Sequence, residues 1–250
     1  MGSLFVGSVQ VSSSQPLAVA AAQYNGASQL MELSSTQPLA AGLYAPLIQN
    51  NNSGWQSGLT LRAPWGNLPM YVNYYATNTN GWCGSEQPNM ENPRIVYPAP
   101  KNATSCNTTP NAIFSAGGGM AASVNQLQGT LNATTYEAIA TPAQSASIPK
   151  VQRDGCWNDG FVIMNGNGTA VNVTVTLYNR LHNSSQTPNT IVNQPLGPYQ
   201  NLTVLGQIPY GFDGSALVTA DLPVAVVANA YRPGSAGVGD FIGSYPASHR

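Results

Sequence analysis

The chain has 250 residues, 42% of them hydrophobic and only 7% charged, with a formal net charge of −1. That length allows one large or two ordinary domains, and the apolar content excludes wholesale disorder. So little charge, with no basic run, gives no electrostatic footing for nucleic acid or an anionic membrane surface; Asn, Ser, Thr, Gln and Gly supply the polar surface instead.

Residues 1–31 carry no charge, but Ser12, Ser13, Ser14, Gln15 and Pro16 interrupt the one apolar run and no Lys or Arg precedes it. A signal peptide needs both features, and no window has the length of a transmembrane helix. The expectation is a soluble chain that has lost its leader or was cut from something longer. Within this region Phe5–Tyr24, FVGSVQVSSSQPLAVAAAQY, is matched without a gap at nine of twenty positions by Phe212–Tyr231, FDGSALVTADLPVAVVANAY. Each copy is predicted to be a β-hairpin: Gly-Ser opens a strand, a Pro-ended turn follows, and the second run returns. Pro16 and Pro223 stand where a missing N–H costs least. Ala18–Ala22 is the best helical run, yet its copy AVVAN favours a strand, so both are assigned as strands.

A second repeated element follows. Ala45–Gly58, APLIQNNNSGWQSG, matches Ile148–Gly160, IPKVQRDGCWNDG, as Pro-x-x-Gln and then Trp-x-x-Gly. Apolar–polar alternation predicts strands at Ser8–Ser12, Gly58–Arg62, Val171–Tyr178 and Ser215–Ala220. With 25 Gly and 19 Pro, helix has little room. Ala122–Tyr136 is expected to be a third, decayed hairpin. Between the Trp elements, Cys83 and Cys106 flank a Pro/Asn-rich stretch expected to be an irregular excursion. Closing it with a disulfide would stabilise the fold by about 3 kcal/mol. Cys156 is then a buried thiol or an intermolecular partner.

The runs GSALVTADLPVAVVANAY and NSGWQSG resemble the tandem β-sandwich repeats of large secreted surface proteins of some filamentous bacteria. The resemblance covers 142–231 well and 1–75 fairly, and is absent over 78–116. It implies an extracellular, immunoglobulin-like scaffold without catalytic residues; Cys156 beside Trp157 and the 78–116 segment depart from it.

Chemistry is sparse. His182 and His249 are the only histidines, and no nucleophile, phosphate-loop, dinucleotide or zinc motif is present. Glu86 and Glu91 are weighed as a glycosidase pair, and Asp154, Asn158 and Asp159 as calcium ligands; solvated loop and turn roles are preferred for both. Trp55 and Trp157 are expected to anchor the cores, whereas Trp65 and Trp82 are better placed to stack on sugars. Sequons stand at Asn51, Asn102, Asn107, Asn132, Asn167, Asn172, Asn183 and Asn201.

The expected fold class is all-β: a terminal hairpin over 1–35, one immunoglobulin-like sandwich over 36–140 with an insertion at 78–116, and a second over 141–250. Val9, Val11, Leu17, Val19, Val218, Val224 and Val226 form the apolar faces of the two hairpins. Three hairpins accompany two Trp elements, so one is surplus and is expected to complete a neighbouring copy. The expected function is that of a secreted, non-enzymatic structural protein that pairs β-strands with its own kind into a filament or surface layer. The alternative is a monomeric carbohydrate-binding or adhesin module. No cofactor or metal is expected; glycans are possible partners.

Overall fold

The computed structural model describes residues 14–15, 20–24, 30–35, 39–63, 69–77, 81–88, 94–100, 105–128, 132–180, 188–232 and 241–249. Among them there is no helix. The strands are β1 (Ala20–Tyr24), β2 (Leu30–Ser35), β3 (Ala40–Ala45), β4 (Asn50–Asn52), β5 (Trp55–Arg62), β6 (Met70–Tyr75), β7 (Trp82–Glu86), β8 (Arg94–Ala99), β9 (Asn111–Gln128) and β10 (Asn132–Glu137). They continue as β11 (Ala143–Arg153), β12 (Gly160–Met164), β13 (Val171–Asn179), β14 (Asn189–Leu196), β15 (Asn201–Val204), β16 (Phe212–Arg232), β17 (Phe241–Pro246) and β18 (Ser248–His249).

All pairing is antiparallel and falls into three sets: the hairpin β1–β2, an eight-stranded sheet of β3–β10, and an eight-stranded sheet of β11–β18. Each large sheet is curled around one long strand that belongs to two layers. β9 pairs with β3 and β6 through residues 111–120, then with β5 and β10 through 121–128. β16 does the same with β11 and β13, then with β12 and β17. The layers β7-β6-β9-β3 and β8-β5-β9-β10 thus have the counterparts β14-β13-β16-β11 and β15-β12-β16-β17. Register agrees as well: Leu43 and Val72 flank Phe114 as Ala146 and Val175 flank Val218.

The expected hairpin at 212–231 is therefore overturned. Asp221-Leu222-Pro223 does not reverse the chain; it is a bend at which β16 passes from one layer to the other. Exposed Pro223 has no N–H to contribute there, and Asp221 accepts the Asn172 N–H at 2.9 Å and its amide at 2.7 Å, tying the bend to β13. The third copy runs along 111–128 with Gly117-Gly118-Gly119 at its bend, not along 122–136, although β9 and β10 do form a hairpin. Gly214 is required by close approach: a Cβ there would stand 2.0 Å from the Tyr178 carbonyl oxygen.

Burial explains the pattern of β16. Its first half alternates buried and part-exposed residues, the period of a strand with one wet face. Val224 to Ala228 are all buried because this half is covered on both faces: Val224, Val226 and Ala228 point into the second core, Ala225 and Val227 toward the first unit. Val218, Val224 and Val226, each 0% exposed, are core residues of a strand paired within the chain, not a free assembly surface. Val9, Val11, Leu17 and Val19 lie outside the described residues.

Two further expectations change. The segment 78–116 is not an irregular insertion: it contributes β7, β8 and the start of β9, which have counterparts in β14, β15 and β16. Trp55 and Trp157 are only half-buried, because each sits at a turn on the rim of its sheet. Tyr74, Phe114 and Tyr136 fill the first core and Phe161 the second. Buried Tyr136 keeps its hydroxyl partnered: it accepts the Leu47 N–H at 3.1 Å and donates to the Leu47 carbonyl.

Candidate functional site

The Pro-x-x-Gln and Trp-x-x-Gly repeat resolves into a backbone clip. In the first unit Ser57 N–H donates to the Gln49 carbonyl at 2.8 Å and the Ser57 hydroxyl accepts the Gln49 N–H at 2.8 Å. In the second, Asp159 N–H donates to the Gln152 carbonyl at 2.9 Å and its carboxylate accepts the Gln152 N–H at 2.9 Å. The turns before each Trp differ in chemistry. Ser53 (φ 52°) and Gly54 (φ 83°) make a two-residue turn with both φ positive. Asp154 instead uses Oδ1 to accept the Cys156 and Trp157 N–H groups at 2.7 and 2.8 Å. Those hydrogen bonds, with one from Gln152, hold its carboxyl below the usual range. Burial pushes the Asp159 carboxyl up. Each carboxylate thus accepts backbone N–H groups, and no cluster of three or more metal-ligating side chains exists among the described residues.

The two units meet face to face, and residues from distant parts of the chain build the junction. Asn111 Nδ2 donates to the Tyr199 carbonyl at 2.9 Å, while Asn201 Nδ2 donates to the Thr109 carbonyl at 3.1 Å and the Pro46 carbonyl at 2.9 Å. Each amide reaches the carbonyl two residues before the other, a reciprocal clasp. Tyr199, held at φ 57°, stacks on Tyr75 with centroids 4.7 Å apart. Tyr44 packs so closely on Gly166 that a Cβ there would be 2.4 Å from its ring. The sequence marked Asn201 only as a sequon and gave no sign of the clasp, whose two reciprocal bonds join positions 88 and 92 apart that share no motif.

Next to this junction the outer face of β6 and β7 is open. Tyr71, Asn73 and Tyr75 alternate with buried Met70, Val72 and Tyr74. Ser85 pairs with Asn73, and Trp82 with Tyr75. Trp82 is 62% exposed and Tyr71 43%. Behind Trp82, Cys83 is bridged to Cys106, as the spacing led us to expect, and Ser105 donates to the Cys83 carbonyl at 2.8 Å.

The remaining candidates are dispersed. Glu86 is buried beside Tyr74, whose hydroxyl is pushed far up by burial and then by that carboxylate; Glu91, His182 and Trp65 lie outside the described residues. Cys156 is exposed, not buried. Asn51, Asn107 and Asn172 are exposed and Asn167 half-buried. Asn201 is 1% exposed with its amide in the clasp, so a glycan there would open the junction. The side chains of Asn102, Asn132 and Asn183 lie outside the described residues.

No family model matches the chain, and no curated protein sequence does. Solved structures similar to it include Thermotoga maritima 1070, at 14% identity and TM-score 0.38 over 44% of this chain and 96% of that one. Another is the Anabaena sensory rhodopsin transducer, at 16% identity and TM-score 0.29 over 34% and 94%. Likeness at this level carries no argument about activity.

Proposed function

We propose that the protein is an extracellular structural protein, built of immunoglobulin-like modules, that assembles with further copies by β-strand pairing into a filament or surface layer. The observation that carries this reading is a difference between two equivalent sheet edges. On β7 the disulfide ties Cys83 to Cys106 and the Ser105 hydroxyl caps the Cys83 carbonyl. On β14 no described strand lies outside, and its eight residues, NTIVNQPL, hold no charge. Uncharged open edges invite pairing with another chain. Because Asn172 N–H points at Asp221, away from β14, Pro195 opposite it turns its N outward; so, by the two-residue period, does Asn193. Pro195 blunts the end of the edge, while Asn193 turns its N–H and C=O to the side where no described strand lies. The surplus hairpin is not needed for this contact, since β9 and β16 fill both central slots within the chain.

A disulfide and the absence, among the described residues, of a helix long and apolar enough to cross a membrane are compatible with that location. A single heterologous edge contact propagates, whereas β14 pairing with itself closes a dimer. Negative-stain imaging of purified protein tests the reading: filaments or sheets are expected, and only particles of single-chain size would refute it. A second reading, glycan binding by a monomer, is favoured by one observation: the exposed Trp82.

A further inference from the structure

The outer face of β6 and β7 carries two large aromatic side chains that folding does not demand. The second unit is an internal control, since it builds the same layer from β13 and β14. There Thr174 occupies the position of Tyr71, Thr176 that of Asn73, and β14 contains no aromatic residue. The topology is therefore achieved without them, and exposed Trp costs solubility for no gain in packing. The disulfide is likewise confined to the first unit and anchors the residue next to Trp82.

Geometry defines what fits. Tyr71 and Tyr75 lie four residues apart on one strand, about 13 Å at the usual rise, and Trp82 stands beside Tyr75 across the ladder. Two exposed aromatics thus bracket Asn73 and Ser85 on one face of the sheet. The stacked Tyr75–Tyr199 pair makes a wall on the side where the second unit begins. A ring platform with an amide and a hydroxyl between its ends, and no charge among these residues, matches the apolar faces and equatorial hydroxyls of pyranose rings. None of these described residues offers a cation to an acidic ligand. The strand is pinned by Cys83–Cys106 and the wall by the Asn111–Asn201 clasp, so little ordering is left to the ligand.

We propose that the Tyr71–Asn73–Ser85–Trp82 face binds an uncharged oligosaccharide by stacking on Trp82 and Tyr71. This goes beyond the assembly reading and holds for a monomer as well as a polymer. Affinity electrophoresis in gels containing β-1,3-glucan, β-1,4-glucan, mannan or xylan, with hyaluronate as a charged control, tests it. Retardation in at least one neutral gel is expected, with affinity falling roughly tenfold or more in Trp82→Ala and in Tyr71→Ala, and largely restored in Trp82→Tyr and Tyr71→Phe. Melting temperatures of the alanine variants should match the parent, because both side chains are exposed. No retardation in any neutral gel, retardation by hyaluronate alone, or equal retardation of Trp82→Ala would overturn the proposal. A change in sedimentation of Trp82→Ala without a change in retardation would do so too, by assigning the face to a second copy. The assembly reading fails separately, by its own imaging test.

Discussion

At the residue scale, the two units solve the same local problems with different side chains. Asn50 donates its amide to the Cys106 and Asn107 carbonyls at 3.3 and 3.2 Å; at the matching place Arg153 directs its guanidinium to the carbonyls of Gly206 at 3.1 Å and of Ile208. Ser57 and Asp159 are the most testable pair. Burial raises the Asp159 pKa, so its contribution to stability is complete below the unfolded value and lost as pH rises through the folded one. Asp154, lowered first by the Cys156 N–H, does the reverse: its contribution is present above the unfolded value and lost as pH falls through the folded one. Asp159→Ser keeps the clip with the chemistry of Ser57. Urea titrations across the carboxylate range should show a variant at least as stable as the parent at neutral pH and lacking the parent's gain on acidification. A uniform loss at every pH would mean the carboxylate does something a hydroxyl cannot. Gly166→Ala should cost about 1–3 kcal/mol through its clash with Tyr44, and Tyr44→Ala in the same chain should recover part of it. No recovery in the double variant would show that the ring contact is not the cause. Half-buried Trp157 should matter less than Phe161, whose truncation is expected to cost about 3–5 kcal/mol.

At the element scale, the disulfide is the natural lever. Cys83 and Cys106 are separated by 23 positions, so removing the bond should cost about 3 kcal/mol on the loop-entropy estimate. The double Cys→Ser variant should also raise amide exchange in β7. An unchanged melting temperature would show that Ser105 and the β6–β7 ladder hold that edge alone. The strands themselves were legible where one face is wet: Val171–Tyr178 and Ser215–Ala220 alternate because alternate side chains enter a core. The hairpin reading of 212–231 failed because Pro after Asp-Leu looks the same at a turn and at a bend between layers. The change from alternating SALVT to continuous VAVVA was the available signal, marking where a strand becomes buried on both sides. β7 and β8 were missed because their residues include Gly, Pro and a Cys held by long-range pairing rather than by local propensity.

At the scale of the whole molecule, the sequence showed two Trp elements and a repeated terminal segment; the structure has two sheets of matching topology, each holding one Trp element, with the C-terminal copy of the segment as β16. What could not be read was the junction. The second unit presents Val162, Met164, Ala225 and Val227 toward the first, whereas the matching positions on the first are Thr60, Arg62, Ala121 and Ser123, all half-exposed. The outward face of the first unit therefore lacks the apolar residues of that contact, and the proposed assembly rests on the sheet edges. Asn111→Ala and Asn201→Ala should each lose about 1–3 kcal/mol, and the double variant less than the sum, because the clasp acts as one unit; strict additivity would show two independent bonds. The central claim, assembly through the β14 edge, is tested most directly by sedimentation velocity over a dilution series of the parent beside Asn193→Pro. The substitution removes an outward N–H while sparing the bonds to β13. The account predicts large species for the parent that dissociate on dilution, and a single-chain species for the variant at every concentration. Identical profiles for the two proteins, whether both monomeric or both assembled, would contradict it.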